Sequence, residues 1–307
     1  MPNDFNTPQQ PQQKQKVWAT LITKENDYII SAKVLAFSLL CTASKYPLVI
    51  MHTKTVSKQS LDELLQFECQ LRQVEFLEPP KGVAREIVKG YNETWTKLRA
   101  WGLTEFERVA LLDADMLVMH NMDELLDDDE LLKDENWLAA SNACTCNPGK
   151  NPEYPKTWVP ESCVYTPQIE SDSNFATIKF VDYFNSGMLV LKPNDDVFAR
   201  ILKELYNHPN PDVLIFPDQD FLNEAFKSHW VRLPYIYNAL KTLRNCHSNI
   251  WNDDQVKNIH YILDKPWRIT DRDSAEAKSN QAYVLNLWWF KYFDEMKKFE
   301  ESRSRQQ

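Results

Sequence analysis

The stretch Arg108–Val118, RVALLDADMLV, runs an apolar segment directly into two carboxylates that are separated by one residue. Its composition predicts a buried strand, and alternation along that strand would place Asp113 and Asp115 on one side, roughly 6–7 Å apart. Hard oxygen ligands of this kind suit Mg²⁺ or Mn²⁺, ions that usually also bind substrate phosphates. The motif therefore indicates a strand-end metal site for a nucleotide diphosphate, although Asp-x-Asp also occurs by chance in acidic chains. The nearby run 127–129 is interpreted as a solvated helix end.

Strand and helix patterns alternate on the N-terminal side of this motif. Apolar strand-like segments occupy residues 17–23, 48–52, 74–77 and 109–112, and helical periodicity follows Asp27, a potential cap, and continues over 57–67 and 94–102. This alternation predicts an α/β fold built from parallel βαβ units, in which ligands bind at the carboxyl ends of the strands.

The second half of the chain is less regular. Residues 144–180 are predicted to form a long surface loop, followed by a strand at 183–191 and a helix at 197–206. Asp218 is equally consistent with a helix cap and with a catalytic acid. His260 could join Lys265 in binding an anion, but a histidine beside Tyr and Ile is more often a packed residue. An aromatic-rich helix after residue 283 is expected to pack on the domain.

Composition excludes several classes of protein. The chain has 307 residues, 43% of them hydrophobic, enough for one large core or two smaller ones without disulfides. A formal net charge of −9 argues against general nucleic-acid binding. Residues 1–16 lack an apolar core and are expected to be a disordered tail. The longest apolar run, Val34–Cys41, is far shorter than the ~20 residues of a membrane span, so none is expected.

Six cysteines in a chain of this length fit a reducing compartment, and a cytoplasmic location is expected. Cys144, Cys146 and Cys163 fall within one segment and could bind zinc. Because their spacing lacks the paired C-x-x-C pattern of structural zinc sites, free thiols are favoured over a metal cluster.

The order of these signals resembles glycosyltransferase family 8, the group that contains glycogenin and plant galactinol synthase. The matching segments are, in order, Thr20–Thr23 with Tyr28, Thr96–Trp101, Leu112–Val118, Phe184–Met188, Asp218 with Gln219, and His260 with Lys265–Trp267. The resemblance implies the GT-A fold, a Rossmann-like mixed, mostly parallel sheet flanked by helices. It implies one domain over residues 17–300, with an insertion at about 143–180 and a tail at 301–307.

The resemblance also implies the ligands of a bound metal ion and of a UDP-sugar donor. Asp113, Asp115 and His260 would bind Mn²⁺, with Mg²⁺ as the alternative ion. The uridine would be held by Leu21, Thr23 and Tyr28, and the rest of the donor by Lys97 and, at its diphosphate, Lys265. Ala114 and Gly187 belong to the same donor-binding segments. Only four residues separate His260 from Lys265, fewer than the family usually has, and the glycine expected there is absent.

Four residues would face the transferred sugar: Asn185, Ser186, Asp218 and Gln219. The expected catalytic set is Asn185, Asp218, Gln219 and Lys265. The family retains the anomeric configuration, and attack from the side on which the leaving group departs is favoured over a covalent intermediate on Asp218 or Gln219. A departing phosphate oxygen would then take the acceptor proton.

The predicted function is Mn²⁺-dependent, retaining transfer of a hexose, glucose or galactose, from a UDP-sugar to a hydroxyl acceptor. The cysteine-containing insertion resembles the galactinol synthase branch, which favours a small polyol or sugar as the acceptor over a larger glycan. A catalytically silent sugar-nucleotide-binding or scaffold protein and a nucleotidyltransferase are the alternatives. The sequence leaves the oligomeric state open, with a homodimer among the options.

Overall fold

The structure, a computed structural model, describes residues 14–81, 91–166 and 180–305. Within these ranges the strands are β1 Gln15–Ile22, β2 Leu48–His52, β3 Gln70–Gln73, β4 Phe106–Leu112, β5 Met116–Val118, β6 Leu138–Asn142, β7 Phe184–Leu191, β8 Trp230–Leu233, β9 Ala239–Leu240 and β10 Asn258–His260. The α-helices are α1 Tyr28–Cys41, α2 Lys58–Leu65, α3 Glu124–Asp127, α4 Asp195–Tyr206, α5 Pro217–Ala225, α6 Leu243–Cys246, α7 Ala275–Ser279 and α8 Tyr283–Ser304. Short 3₁₀ helices lie at Pro160–Ser162, Pro211–Val213, Tyr235–Tyr237 and Pro266–Arg268, and a longer one at Tyr91–Gly102.

Seven of the described strands form one sheet in the order β3-β2-β1-β4-β7-β6-β8. The first four are parallel, β7 is antiparallel to both of its neighbours, and β6 and β8 are parallel. The predicted fold class, a mixed and mostly parallel sheet flanked by helices, is confirmed. Because β7 runs against β4, its first residues lie at the edge where β4 ends, and this edge carries the predicted site.

Both faces of the sheet are buried, which explains the continuous apolar run of β4. Val109 and Leu111 belong to a core that includes Trp95 of the long 3₁₀ helix and residues of α4 and α5. Ala110 and Leu112 belong to the other core, beneath α1 and α8. Strands covered on both faces are expected to be apolar throughout rather than alternating.

A small second sheet crosses the edge of the first, in the order β5-β10-β9. The pairing of β10 with β5 is antiparallel and places His260 opposite Met116, directly after the acidic motif. The pairing of β9 with β10 is parallel. This small sheet therefore brings a segment from late in the chain beside Asp115.

The start of α1 differs from the prediction that Asp27 caps it. The Asn26 side-chain oxygen, at 2.9 Å, accepts the hydrogen bond from the Tyr28 backbone N–H. The Asp27 carboxylate instead accepts from Trp267 Nε1 at 3.1 Å and pairs with Arg268 at 2.5 Å. Asp27 thus connects α1 to the segment that follows the second sheet.

Several predicted boundaries also differ from the structure. Residues 74–77 are irregular rather than a strand, and the edge strand β3 ends at Gln73. The first strand begins at Gln15 and α8 continues to Ser304, so residues 15–16 and 301–304, which were assigned to the tails, belong to regular elements. Residues 1–13, 306 and 307 lie outside the described residues. Residues 167–179 of the predicted insertion also lie outside them.

The aromatic-rich C-terminal helix, α8, packs on the domain as expected. Leu285, Trp289 and Phe290 join the core beneath α1. Among the helices of the described ranges, none combines the length and apolar character needed to cross a membrane.

Candidate active site

Asp113 and Asp115 lie in a turn and not on a strand, because β4 ends at Leu112 and β5 begins at Met116. The explanation from strand alternation was therefore wrong. The turn is held on both sides: the Asp113 N–H donates to the Gly187 carbonyl at 2.7 Å, and Ser31 Oγ of α1 donates to the Ala114 carbonyl at 2.7 Å. Convergence of the two carboxylates follows from this turn.

His260 completes the acidic cluster. Its Nε2 atom lies 3.3 Å from Asp115 Oδ1 and 3.8 Å from Asp113 Oδ2. The Tyr261 N–H donates to the Asp115 carbonyl at 2.9 Å and continues the strand pairing that fixes this position. The potential ligand atoms of the three residues all lie within 4.8 Å of one another. His260 is buried, as expected of a packed residue, but it is packed against two acids.

A chain of hydrogen bonds determines which nitrogen of His260 is free. The Gly187 N–H donates to Asn185 Oδ1 at 3.0 Å, and Asn238 Nδ2 donates to the same oxygen at 2.8 Å. Asn238 Oδ1 must then accept from His260 Nδ1, which lies 3.0 Å away. Because Nδ1 carries the proton, the lone pair of Nε2 faces the carboxylates, the orientation that a metal-binding histidine needs.

Gly187 is required by the position of the His260 ring. A Cβ atom at residue 187 would lie 2.2 Å from His260 Cε1 and 2.6 Å from Nδ1. Any larger residue would displace the imidazole, so this position requires glycine.

Lys97 connects the acidic turn to the start of α5. Its Nζ atom lies 2.8 Å from Asp113 Oδ1 and 2.9 Å from Asp218 Oδ2, and donates to the Ser186 carbonyl at 3.2 Å. Burial works against the protonated lysine, but the two carboxylates prevail and raise its pKa. Burial also raises the pKa of Asp113 despite the neighbouring ammonium. In this part of the site, one ammonium faces two carboxylates.

Lys265 pairs with Asp115 and also donates to the Tyr261 carbonyl at 2.7 Å. Burial opposes its charge, but Asp115 raises the pKa of the ammonium. Burial would likewise raise the pKa of Asp115, yet the Lys265 ammonium holds it well below its usual value. The loop between His260 and Lys265 is short, and Leu263 within it has a φ of 61°. The position where a glycine was expected thus adopts the left-handed conformation that favours glycine.

Asp218 and Gln219 lie in the first turn of α5 and contact the first residues of β7. Asp218 Oδ2 accepts from Ser186 Oγ at 2.8 Å. Gln219 Oε1 accepts from Asn185 Nδ2 at 2.8 Å and from the Ser186 N–H at 3.1 Å. Asp220 makes the capping contact, 2.8 Å from the Phe216 N–H, so capping is not the role of Asp218. The four residues expected to face the sugar therefore form one network.

The residues expected to hold uridine lie where α1 begins. Leu21 is half-buried near the end of β1, and Thr23 Oγ1 donates to Glu93 at 2.7 Å. The Tyr28 ring lies 5.3 Å from the Trp267 ring and 5.7 Å from Lys265 Nζ. Burial raises the pKa of Tyr28, and Asp115 adds to this effect. Tyr28 is thus adjacent to the acidic cluster.

Two buried residues of the site were missed by the sequence analysis. Asn238 orients His260, and Lys241 lies close enough to Asp115 and Lys265 to interact with their charges. Burial lowers the pKa of Lys241 to about 8, and its ammonium donates to the Asp264 carbonyl. Both residues flank the two-residue strand β9, which is too short to give a sequence pattern.

The donor set of the acidic cluster fits Mn²⁺ or Mg²⁺. Neighbouring ligands of an octahedral ion with bonds of about 2.1 Å are roughly 3 Å apart. The separations of 3.3 and 3.8 Å from His260 Nε2 to the carboxylates are close to that spacing. Two carboxylates and one neutral imidazole form an open set that leaves room for substrate oxygens.

The order and directions of the strands are those of the GT-A fold, which solved glycosyltransferases share with this chain. The galactosyltransferase LgtC, solved with donor and acceptor sugar analogs, is 16% identical and aligns with a TM-score of 0.56 over 94% of this chain and 96% of its own. The glycosyltransferase GlyE of Streptococcus pneumoniae TIGR4 is also 16% identical and aligns with a TM-score of 0.59 over 95% of this chain and 65% of its own.

At the level of sequence, the model of glycosyl transferase family 8 matches residues 20–271, and the chain belongs to this family. Galactinol synthase 3 of Arabidopsis thaliana is 29% identical over 290 residues, which cover 92% of this chain and 83% of that protein. Galactinol synthase 1 of Solanum lycopersicum is 28% identical over 285 residues, covering 90% and 81%. The predicted family resemblance is confirmed.

Proposed function

We propose that the protein is a Mn²⁺-dependent, retaining hexosyltransferase that uses a UDP-sugar, UDP-galactose or UDP-glucose, and a small polyol or sugar as acceptor. The observation that carries this proposal is the cluster of Asp113, Asp115 and His260 with a buried lysine on either side. The curated relatives named galactinol synthase support galactose and a polyol as the first pair to test.

The charge distribution of the site suits departure of a nucleoside diphosphate. Cleavage of the bond from the anomeric carbon to phosphate builds negative charge on the leaving group, and the chemistry that Mn²⁺ supplies here is neutralisation of that charge. Lys265 would exchange part of its contact with Asp115 for the diphosphate. Lys241, whose ammonium donates to the Asp264 carbonyl, would provide a second positive charge.

The network at the start of α5 would orient the sugar. Asp218 is shared between Lys97 and Ser186, so its carboxylate is already engaged in two contacts. Both contacts fall on Oδ2 and fix the orientation of a carboxylate that would position the sugar, with attack by the acceptor from the side of the departing phosphate. Oδ1 has neither contact, so a search for a covalent adduct is what separates this role from nucleophilic attack.

The test is a screen of UDP-sugars for Mn²⁺-dependent release of UDP, with and without small polyols, on the full chain. We expect UDP-galactose or UDP-glucose turnover that requires an acceptor, that EDTA abolishes, and that falls by at least about 100-fold in Asp115→Asn. Asp129→Asn is the matched control, because its side chain is 73% exposed and it lies outside the cluster.

Three outcomes would contradict the proposal. Turnover that EDTA leaves unchanged would exclude the metal assignment. Tight UDP-sugar binding without hydrolysis or transfer would instead identify a silent sugar-nucleotide-binding protein. Incorporation of a nucleoside triphosphate with release of pyrophosphate would identify a nucleotidyltransferase.

A further inference from the structure

A second cluster of metal-binding side chains shares no residue with the acidic site. The Sγ atoms of Cys144, Cys146 and Cys163 lie 3.3, 3.2 and 3.7 Å from one atom, Nε2 of His247. The four potential ligand atoms all lie within 4.8 Å of one another. None of the three cysteines is in a disulfide within the described residues.

Hydrogen bonding does not explain this convergence. An imidazole nitrogen either donates one proton or accepts at one lone pair. It can therefore satisfy one thiol in the ring plane, whereas three sulfur atoms surround His247 Nε2. All three sulfur atoms lie near the point towards which the Nε2 lone pair is directed.

We propose that Cys144, Cys146, Cys163 and His247 bind one structural Zn²⁺ ion. With Zn–S bonds of about 2.3 Å and a Zn–N bond of about 2.0 Å, a tetrahedral site has S···N edges of roughly 3.5 Å. The three separations to His247 Nε2, 3.2 to 3.7 Å, span this value. Three thiolates and one imidazole form a closed set that favours zinc over harder ions.

The surroundings of the cluster support bound thiolates. Cys163 is fully buried, and His247 and Cys146 are exposed by only 2% and 7%. The backbone N–H groups of Thr145 and Tyr165 donate to the Cys163 sulfur, and that of Cys146 donates to the Cys144 sulfur. Hydrogen bonds of this kind stabilise thiolates and orient metal ligands. Binding would release three thiol protons, and the imidazole would remain neutral.

The ion would fasten the insertion to the body of the enzyme. Cys144 and Cys146 directly follow β6, Cys163 follows the 3₁₀ turn Pro160–Ser162, and His247 is the residue after α6. Four ligands from three separate segments would thus meet at one point. The metal ion, and not helices or strands within the insertion, would then set the position of these cysteines.

The fastened segment also reaches the predicted sugar site. Trp158 of the insertion stacks on Phe216 with ring centroids 5.2 Å apart and contacts Tyr183 at 5.5 Å. Phe216 precedes α5, and the Tyr183 hydroxyl lies 3.1 Å from Gln219 Nε2. Zinc would therefore fix a segment that packs beside the predicted sugar contacts, without taking part in transfer.

Metal analysis of the purified full chain, with any affinity tag removed, tests the proposal. We expect about one zinc per chain, retained after EDTA dialysis that removes manganese. Replacement of this zinc by cobalt in an Asp115→Asn background should give the intense visible bands of tetrahedral cobalt and thiolate-to-cobalt charge transfer. That background removes a ligand of the acidic site, where cobalt would otherwise also bind.

Variants identify the ligands. Cys146→Ser and His247→Ala should each lose most of the zinc and release the insertion to limited proteolysis. Cys246→Ser is the matched control, because this thiol adjoins His247 in sequence but is not among the converging ligands, and it should retain the metal. Asp115→Asn should also retain it, which separates this proposal from the proposed transferase activity.

The cobalt spectrum of a protein with all four ligands decides the question even if the ligand variants do not fold. Octahedral or absent cobalt bands together with less than a tenth of an equivalent of zinc would overturn the proposal. An intact mass that is lower by two hydrogens would show a disulfide and would also overturn the proposal. So would iron in place of zinc in the purified chain. A third contrary result is loss of zinc from Cys246→Ser but not from His247→Ala.

Discussion

Backbone groups of one short segment, Asn185–Gly187, orient several residues in and around the acidic site. The Gly187 N–H orients Asn185, the Ser186 N–H orients Gln219, and the Gly187 carbonyl accepts from Asp113. Side chains that receive their orientation from backbone bonds lose little entropy when a ligand arrives. The segment thus helps to position both the proposed metal ligands and the predicted sugar contacts.

Gly187→Ala should reduce Mn²⁺-dependent UDP release by at least about 100-fold, because the new Cβ would overlap the His260 ring. Steady-state kinetics over a Mn²⁺ titration measures the effect. Gly149→Ala is the control, since a Cβ there meets nothing within 4 Å. Equal activity of the two variants would show that His260 is not a ligand.

Asp218→Asn should slow transfer by about 10- to 100-fold without forming a sugar–enzyme adduct, because the residue positions rather than attacks. The amide keeps the size of the carboxylate but weakens the contact with Lys97. Intact mass spectrometry during turnover is the measurement. A covalent hexosyl adduct on either the parent or the variant would contradict same-side attack.

Lys241→Met should stabilise the protein by about 1–3 kcal/mol near neutral pH while weakening donor binding, a trade typical of functional sites. The pKa of Lys241 is lowered by burial to about 8 from its ordinary 10.5. Between these values the unfolded chain binds more protons than the folded one, so the stability of the parent rises with pH. The advantage of the variant is therefore complete below pH 8 and declines towards 10.5.

Denaturant unfolding at several pH values, with the exposed Lys54→Met as control, measures this difference. A gain that stays constant across that window would contradict the burial of a charged ammonium at residue 241.

Elements with strong patterns were predicted well and those without pattern were not. The apolar run of β4 predicted a strand, and the periodicity of α2 predicted a helix. Both patterns are visible because burial on one or two faces selects apolar residues at those positions. Residues 74–77 have the composition of a strand, but the chain has already left the sheet edge there, and local composition does not record pairing. The two-residue β9 has no periodicity to detect.

The loop between β10 and Lys265 stores strain at one residue. Leu263 has a φ of 61° and a side chain that is 61% exposed, so it gains little from burial. Leu263→Gly should raise the apparent free energy of unfolding by about 0.5–1 kcal/mol through relief of this backbone conformation. Leu263→Ala is the matched control and should show no such gain. If alanine stabilises as much as glycine, exposure and not backbone conformation is responsible.

Contacts between distant parts of the chain join helices that pack on the same face of the sheet. Lys33 of α1 is buried and pairs with Glu63 of α2 at 2.9 Å and with Glu300 of α8. These pairs join the helices that cover one face of the sheet. The last helix is therefore part of the core of the fold and not an appendage.

Glu300→Gln should lower the apparent free energy of unfolding by about 1–3 kcal/mol, because the mutation removes a negative charge that pairs with the buried Lys33 ammonium. Thermal and urea unfolding measure the loss. Glu301→Gln, on the exposed side of α8, should change stability by less than about 0.5 kcal/mol. Similar values for both variants would mean that Glu63 alone compensates Lys33.

At this scale the sequence supported the fold class and the acidic site but not the cysteine site. The predicted acidic ligands were recognised because their segments occur in order in a known family. His247 lies 84 residues from Cys163, and nothing in the local spacing of the cysteines refers to it. The fourth proposed ligand, His247, can be recognised only from the three-dimensional structure.

The pairing of β10 with β5 has a consequence for how the protein matures. Lys265 meets Asp115 across 150 residues of chain, so the contact order of the catalytic centre is high. During synthesis on the ribosome, the acidic turn emerges long before its partners. The nascent polypeptide can assemble most of its parallel strands first, whereas the proposed manganese site can be completed only after residues 260–265 have been synthesised.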